Sequence, residues 1–250
     1  MQRGLTAELA GADADPAARQ DLPARGTRRR RLSIAAIGTA AYLVALIATV
    51  PARFVLTPNA RLAVAGTVWN GEAVLDGAYR FEWRWAPLRS LASLAFAADL
   101  RITGTGTDIA AAATRSARRF LLEGVSGRAD GAFLSALAPS LPFTCEGTLQ
   151  VDMPRIALAG AASQIVGEVR GDAASCTPTG AAQSFPVPAL LASAGRSGND
   201  ATAITLAPLG RGRLHLMEGS IADGRLRLSL TRDGLALLPF ARGLAIDQAL

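Results

Sequence analysis

Lysine is missing from the chain: all 26 basic residues among its 250 are arginine. Neither Gly104-Thr105-Gly106 nor Gly210-Arg211-Gly212 is therefore followed by the Lys-Ser/Thr of a phosphate loop, nor does either complete that pattern at a strand-to-helix turn. Histidine is almost as scarce. His215 stands alone, and with Cys145 and Cys176 far from it in sequence it offers no zinc site of ordinary ligand spacing. It is expected as a surface residue on the polar face of a strand. Gly124-Val125-Ser126-Gly127 is not a nucleophile elbow, because Arg128 stands where the closing glycine is needed. No carboxylate pair has a spacing that suggests acid–base work. The expectation is a non-enzymatic protein with no catalytic residue, cofactor or metal.

Charge of one sign is also thinly spread. The net charge is +6, and residues 1–31 hold half of it, with seven arginines against four acids. The remaining +3 lies over a much longer stretch, too dilute for a nucleic-acid surface, which needs clustered cations. No nucleic-acid partner is expected.

Apolar residues make up 50% of the chain. The longest uncharged apolar run, Leu32 to Val50, directly follows Arg28, Arg29, Arg30 and Arg31. Its nineteen residues match a helix able to cross a bilayer core. The arginines are expected to set the topology by staying in the cytoplasm. A cleaved signal peptide fits less well, because its apolar region is shorter and Val50-Pro51-Ala52 is a poor cleavage site. The expected organisation is a disordered basic cytoplasmic tail over 1–31, a transmembrane helix over 32–51, and a β-rich domain over 52–250 on the far side. Lipid would be met through the anchor. In an oxidising compartment Cys145 and Cys176 are expected to pair, two buried thiols being the alternative.

Beyond an extended linker over Pro51–Pro58, the pattern is that of strands. Tyr79, Phe81, Trp83 and Trp85 alternate with Arg80, Glu82 and Arg84, the period of a strand with one wet face. Arg61–Trp69 alternates more weakly. Ser93–Thr103 would place Leu94, Phe96, Leu100 and Ile102 together, and Thr144–Met153 reads as one strand. Arg213–Glu218 and Arg225–Thr231 read as a late pair of strands, with a turn at Asp223-Gly224. Another turn is expected at Asn199-Asp200, and a loop over Phe185–Pro188. Ala132–Ala138 and Pro188–Ala194 are candidate helices, while Ile109–Ala113 fits strand or helix. Half-polar strands belong to antiparallel sheets. The fold expected is mainly β, a curved antiparallel sheet with minor helix after one N-terminal transmembrane helix. The three tryptophans, Trp69, Trp83 and Trp85, would either fill a core across paired strands or line an apolar groove for a lipid or partner strand. Gly66 and Gly71 bracket Trp69 and suggest a tight turn that throws its indole against a neighbouring strand.

Val64-Ala65-Gly66-Thr67-Val68-Trp69-Asn70-Gly71 followed by Trp83-Arg84-Trp85-Ala86-Pro87-Leu88 resembles the type II secretion system protein N family, with its G-T-x-W-x-G turn and W-x-P-L strand end. Cys145-Glu146-Gly147-Thr148-Leu149 and Cys176 fit that family's layout. The resemblance implies an accessory, single-pass inner-membrane component of the Gram-negative machine that exports folded proteins from the periplasm. Its partners would be other inner-membrane subunits of that system. The family is also distantly similar to AsmA-like envelope proteins with lipid-carrying β-grooves. That similarity sets the alternative of a lipid-handling protein, its groove lined by Leu94, Phe96, Leu100 and Ile102.

Overall fold

Strand-period alternation carries most of this fold. The computed structural model describes residues 25–198, 201–241 and 245–249. They divide between Ile47 and Ala48 into a helical unit and a β-rich one. The helical unit is α1 (Arg25–Ala48), which contains Arg28 to Arg31. Helix thus begins inside the segment expected as tail; residues 1–24 of that tail lie outside the described residues. Among the described residues no helix is long and apolar enough to cross a membrane. The arginines take the first turns of α1, and it ends at Ala48, before the apolar run does. Ile34, Ile37 and Val44 on α1 are 61–69% exposed.

The β-rich unit is an antiparallel meander. Its thirteen-stranded sheet runs β1 (Leu62–Gly66), β2 (Asn70–Leu75), β3 (Tyr79–Trp85), β4 (Phe96–Gly104), β5 (Thr107–Arg115), β6 (Phe120–Asp130), β8 (Thr148–Leu158), β9 (Gln164–Gly171), β12 (Leu190–Ser197), β13 (Ala201–Pro208), β14 (Met217–Ala222), β15 (Arg225–Leu230) and β16 (Ala245–Ala249). Three short strands leave this order and pair with one another: β7 (Phe143–Glu146), β10 (Ala174–Pro178) and β11 (Phe185–Val187). Paired residues share a face, so register assigns the sides. One row runs from Val64 through Phe81, Ile109, Val151 and Leu206 to Leu230, apolar at nearly every rung. The other face carries ion pairs such as Arg80–Glu72, Arg101–Asp108 and Arg225–Asp247. One dry face and one wet face are the usual division of an antiparallel sheet. Register slips at Ala110/Ala112 and Asp152/Arg155 mark bulges, which bend and twist a sheet locally.

Short elements cover parts of the apolar face. α3 (Gly131–Leu137) is capped by Asp130, whose carboxylate accepts from the Phe133 N–H at 2.9 Å. It seats Phe133 against Tyr79, Ile109 and Ala129. The small sheet, α4 (Arg232–Leu237) and a 3-10 turn at Pro239–Ala241 form a second core around Leu216, Leu238 and Val187.

Several expectations need correction. Leu94 does not belong to β4. It follows α2 (Pro87–Ser93) in the left-handed region at φ 49° and is 92% exposed, so only Phe96, Leu100 and Ile102 share the apolar face. The signal for α2 was Pro87, suited to a first helical turn. Thr144–Met153 breaks at Gly147 into β7 and β8, which enter different sheets. Pro188–Ala194 is no helix; its residues from Leu190 onward form β12, where two neighbouring strands complete their hydrogen bonding. Phe185–Val187 is a strand rather than loop, pairing with β10. Pro51–Pro58 is not an extended linker. Ala52–Phe54 is a 3-10 turn with Ala52 buried, and Pro51 bridges Thr67. His215 precedes β14 instead of lying within it. Ile109–Ala113 is strand, and Asp223-Gly224 turns between β14 and β15 with both φ positive. Asn199-Asp200 lies outside the described residues.

Candidate functional site

Two places on the apolar face offer binding geometry. The first lies where the small sheet faces the large one. Cys145 and Cys176 are opposite one another in β7 and β10 and form a disulfide. Cys176 is 3% exposed. Beneath this bridge is a cavity of about 390 Å³. Leu149, Val169, Leu206 and Met217 of the large sheet form its floor; Phe143, Phe240 and the disulfide close the other side. Phe240 is held edge-on to Phe143, with ring centres 5.2 Å apart. The lining is almost wholly apolar, so the cavity suits a hydrocarbon chain or apolar side chains and has little for a polar ligand.

The second place is the end of the sheet where the chain enters from α1. The Val50 carbonyl accepts the Val68 N–H at 3.0 Å, which pins the entering chain to the β1–β2 turn. Trp69 in that turn lies edge-on to Trp85 at 5.0 Å and tilted to Phe96 at 5.9 Å. Each such pair adds about 0.5–1.5 kcal/mol beyond simple burial. Trp83 is half-buried, and its Nε1 donates to the carbonyls of Thr67 and Val68, both at 3.1 Å. Trp85 is 38% exposed, with its Nε1 donating to Ser90 Oγ at 2.9 Å. Next to them a groove of about 360 Å³ runs between Val55, Leu56, Trp83, Phe96 and Phe120. Trp69 and Trp85 thus pack against each other, while Trp83 lines the apolar groove.

Gly66 and Gly71 flank the tight turn that sets Trp69 against Trp85 and Phe96, as expected, and Gly71 also makes room for Trp83. Gly66, at φ 87°, faces Gly71 across the turn, and a Cβ on Gly71 would overlap the Trp83 ring and come within 2.6 Å of the Ala65 carbonyl oxygen. Gly71→Ala is expected to cost roughly 1–3 kcal/mol in chemical denaturation, the range for overpacking. Unchanged stability would contradict this close contact.

A polar cluster lies elsewhere, under α3. Tyr79, 5% exposed, donates its hydroxyl to Asp130 Oδ1 at 3.0 Å, and Thr107 Oγ1 donates to the same oxygen at 3.3 Å. Burial, followed by the Asp130 carboxylate, pushes the Tyr79 phenol up to about 12 from 10.0. The unfolded chain therefore loses this proton first, and stability is expected to fall as pH rises between these values. Ultraviolet phenolate titration in the native state should show one tyrosine ionising near the upper value. Ionisation of Tyr79 near the ordinary value would contradict a buried hydroxyl.

The remaining sequence candidates do not join a site. His215 is half-exposed and contacts Glu218 at 2.9 Å. Gly106 lies in the β4–β5 hairpin turn, Gly210 in the loop after β13, and Ser126 within β6. Arg28 to Arg31 lie on α1, in the other unit. Sequence reasoning missed three exposed leucines, Leu88 and Leu91 on α2 and Leu94 just after it. Their three-residue spacing behind Pro87 was the available sign. It also missed the cavity floor, whose residues come from strands far apart in sequence.

The chain matches no curated protein and no solved structure. A family model does match, over residues 60–237, from just before β1 to the end of α4. The turn at Trp69, the tryptophan strand β3 and the disulfide-linked cysteines all fall within that span. The chain belongs to the type II secretion system (T2SS) protein N family.

Proposed function

We propose that the chain is a non-enzymatic accessory subunit of the type II secretion system, held in the inner membrane by Leu32–Val50. Its N-terminus would be cytoplasmic and its β-domain periplasmic. Family membership over residues 60–237 carries this reading. The anchor is supported by the uncharged run behind Arg28 to Arg31 and by the exposed isoleucines and valine of α1. The apolar part of α1, from Leu32 to Ala48, is at the short end of the range for a span, and a bilayer accommodates a short apolar stretch by local thinning.

In this reading the β-domain contacts neighbouring inner-membrane subunits. Tethering confines it close to them, which raises its effective concentration without adding any contact. The test is photo-crosslinking in the native envelope from Asn70, at the exposed tip beside Trp69. Adducts with inner-membrane secretion subunits are expected. Adducts with unrelated envelope proteins, and none with a secretion subunit, would argue against the assignment.

A second reading rests on the apolar cavity beneath the disulfide. Its size and lining fit a lipid acyl chain. Native mass spectrometry of the detergent-purified chain would show a bound lipid that Met217→Trp excludes. A lipid-free parent chain would leave the cavity as a packing feature.

A further inference from the structure

One end of the β-domain combines exposed leucines, arginines and the point of chain entry. Register brings these together. The N–H of Trp85, at the end of β3, donates to Trp69 O at 2.7 Å, and the N–H of Ala86 donates to Ala97 O at 2.9 Å. Phe96 faces Arg115, and Arg115 faces Phe120. The β1–β2 turn, α2 and the β5–β6 turn therefore occupy the same end of the sheet, alongside Val50 and Pro51.

α2 is built with its apolar side outward. Ser90 faces the sheet, its Oγ accepting the Ala97 N–H at 2.9 Å, and Arg89 reaches Asp99 at 2.6 Å. Leu88 and Leu91 point the other way, 82% and 72% exposed, and Leu94 continues their patch. A helix of a water-surrounded domain normally buries such a stripe. The β5–β6 turn adds Arg118 and Arg119, both exposed; with Arg53 and Arg115 they form no ion pair among the described residues.

We propose that this end is a second membrane contact. Leu88, Leu91 and Leu94 dip into the interface of an anionic bilayer while Arg118 and Arg119 meet its headgroups. The proposal rests on the anchor reading above, which brings Val50 to the membrane surface. Three observations name a bilayer as the occupant: the patch adjoins the chain's point of entry, its charge is complementary to anionic headgroups, and its leucines and Trp85 match what interfacial segments bury. Docking there would fix the orientation of the sheet over the membrane, with its aromatic end down.

All three tryptophans lie at this end, so the chain carries its own probe. The full chain is reconstituted into phosphatidylglycerol-containing vesicles with brominated lipid, and its tryptophan emission is read before and after an alkaline wash. Quenching is expected, with loss on Leu88→Glu/Leu91→Glu and marked weakening on Arg118→Glu/Arg119→Glu. Because the replaced side chains are exposed, the variants should keep the parental thermal midpoint in detergent. Unquenched emission from a chain retained through the wash would overturn the membrane contact and leave the anchor standing. So would quenching that the leucine variant does not change. Quenching followed by release in the wash would overturn the anchor alone.

Discussion

Replacing Cys145 and Cys176 by serine is expected to lower the stability of the β-domain by roughly 3–4 kcal/mol, the loop-closure contribution of a bridge this long. The linked residues are 31 apart in sequence, and the loop between them contains β8 and β9 in the middle of the large sheet. Without the bridge, the unfolded chain gains the freedom the bridge denied it. The folded state also suffers, because Cys176 belongs to a buried cluster with Val187 and Leu216, and a serine hydroxyl there needs a partner. The small sheet closes one side of the apolar cavity, so weakening it should expose that cavity as well. Urea denaturation of oxidised, reduced and serine-substituted protein tests this. The reduced and substituted forms should unfold together, well before the oxidised one. Coincident transitions for all three, or free thiols in the unreduced chain, would contradict it.

The second large effect concerns the anchor. Ala41→Arg with Leu43→Arg places two cations near the middle of Leu32–Val50, each costing about 2.5–3.5 kcal/mol for insertion at the centre of a span. An apolar stretch as short as that of α1 has little excess with which to absorb such a loss. The variant should leave the alkaline-washed membrane fraction, and secretion should fall with it even though the β-domain is unaltered. A variant that stays in the membrane would mean that something other than this run anchors the chain. One that leaves the membrane yet supports full secretion would refute the role of tethering.

The sheet was legible wherever strands obey strict alternation. Tyr79–Trp85 shows its faces without ambiguity, since aromatic and charged residues cannot exchange sides without a one-residue slip. Alanine-rich segments carried no such information; Ile109–Ala113 was decided by the strands on either side of it. Thr144–Met153 alternates across Gly147, yet its two halves pair with different partners, and pairing choice does not show in local periodicity. Pro188–Ala194 went wrong similarly, because small residues behind a proline suit a helix until β9 and β13 supply hydrogen bonds. The aromatic end of the site was visible as a cluster of tryptophans. The cavity was not, because Leu149, Val169, Leu206 and Met217 meet only once β8, β9, β12, β13 and β14 pair in order, which no short motif records. α2 was hidden by Leu94, whose apolar character completed a plausible strand pattern while its backbone turned left-handed.

A chromosomal deletion of this chain, complemented with the intact protein, tests the secretion assignment most directly. Exoproteins should accumulate in the periplasm of the deletion strain while its outer membrane stays impermeable, and complementation should restore export. Normal export from a strain with a leaky outer membrane would contradict the account and favour a lipid-handling role.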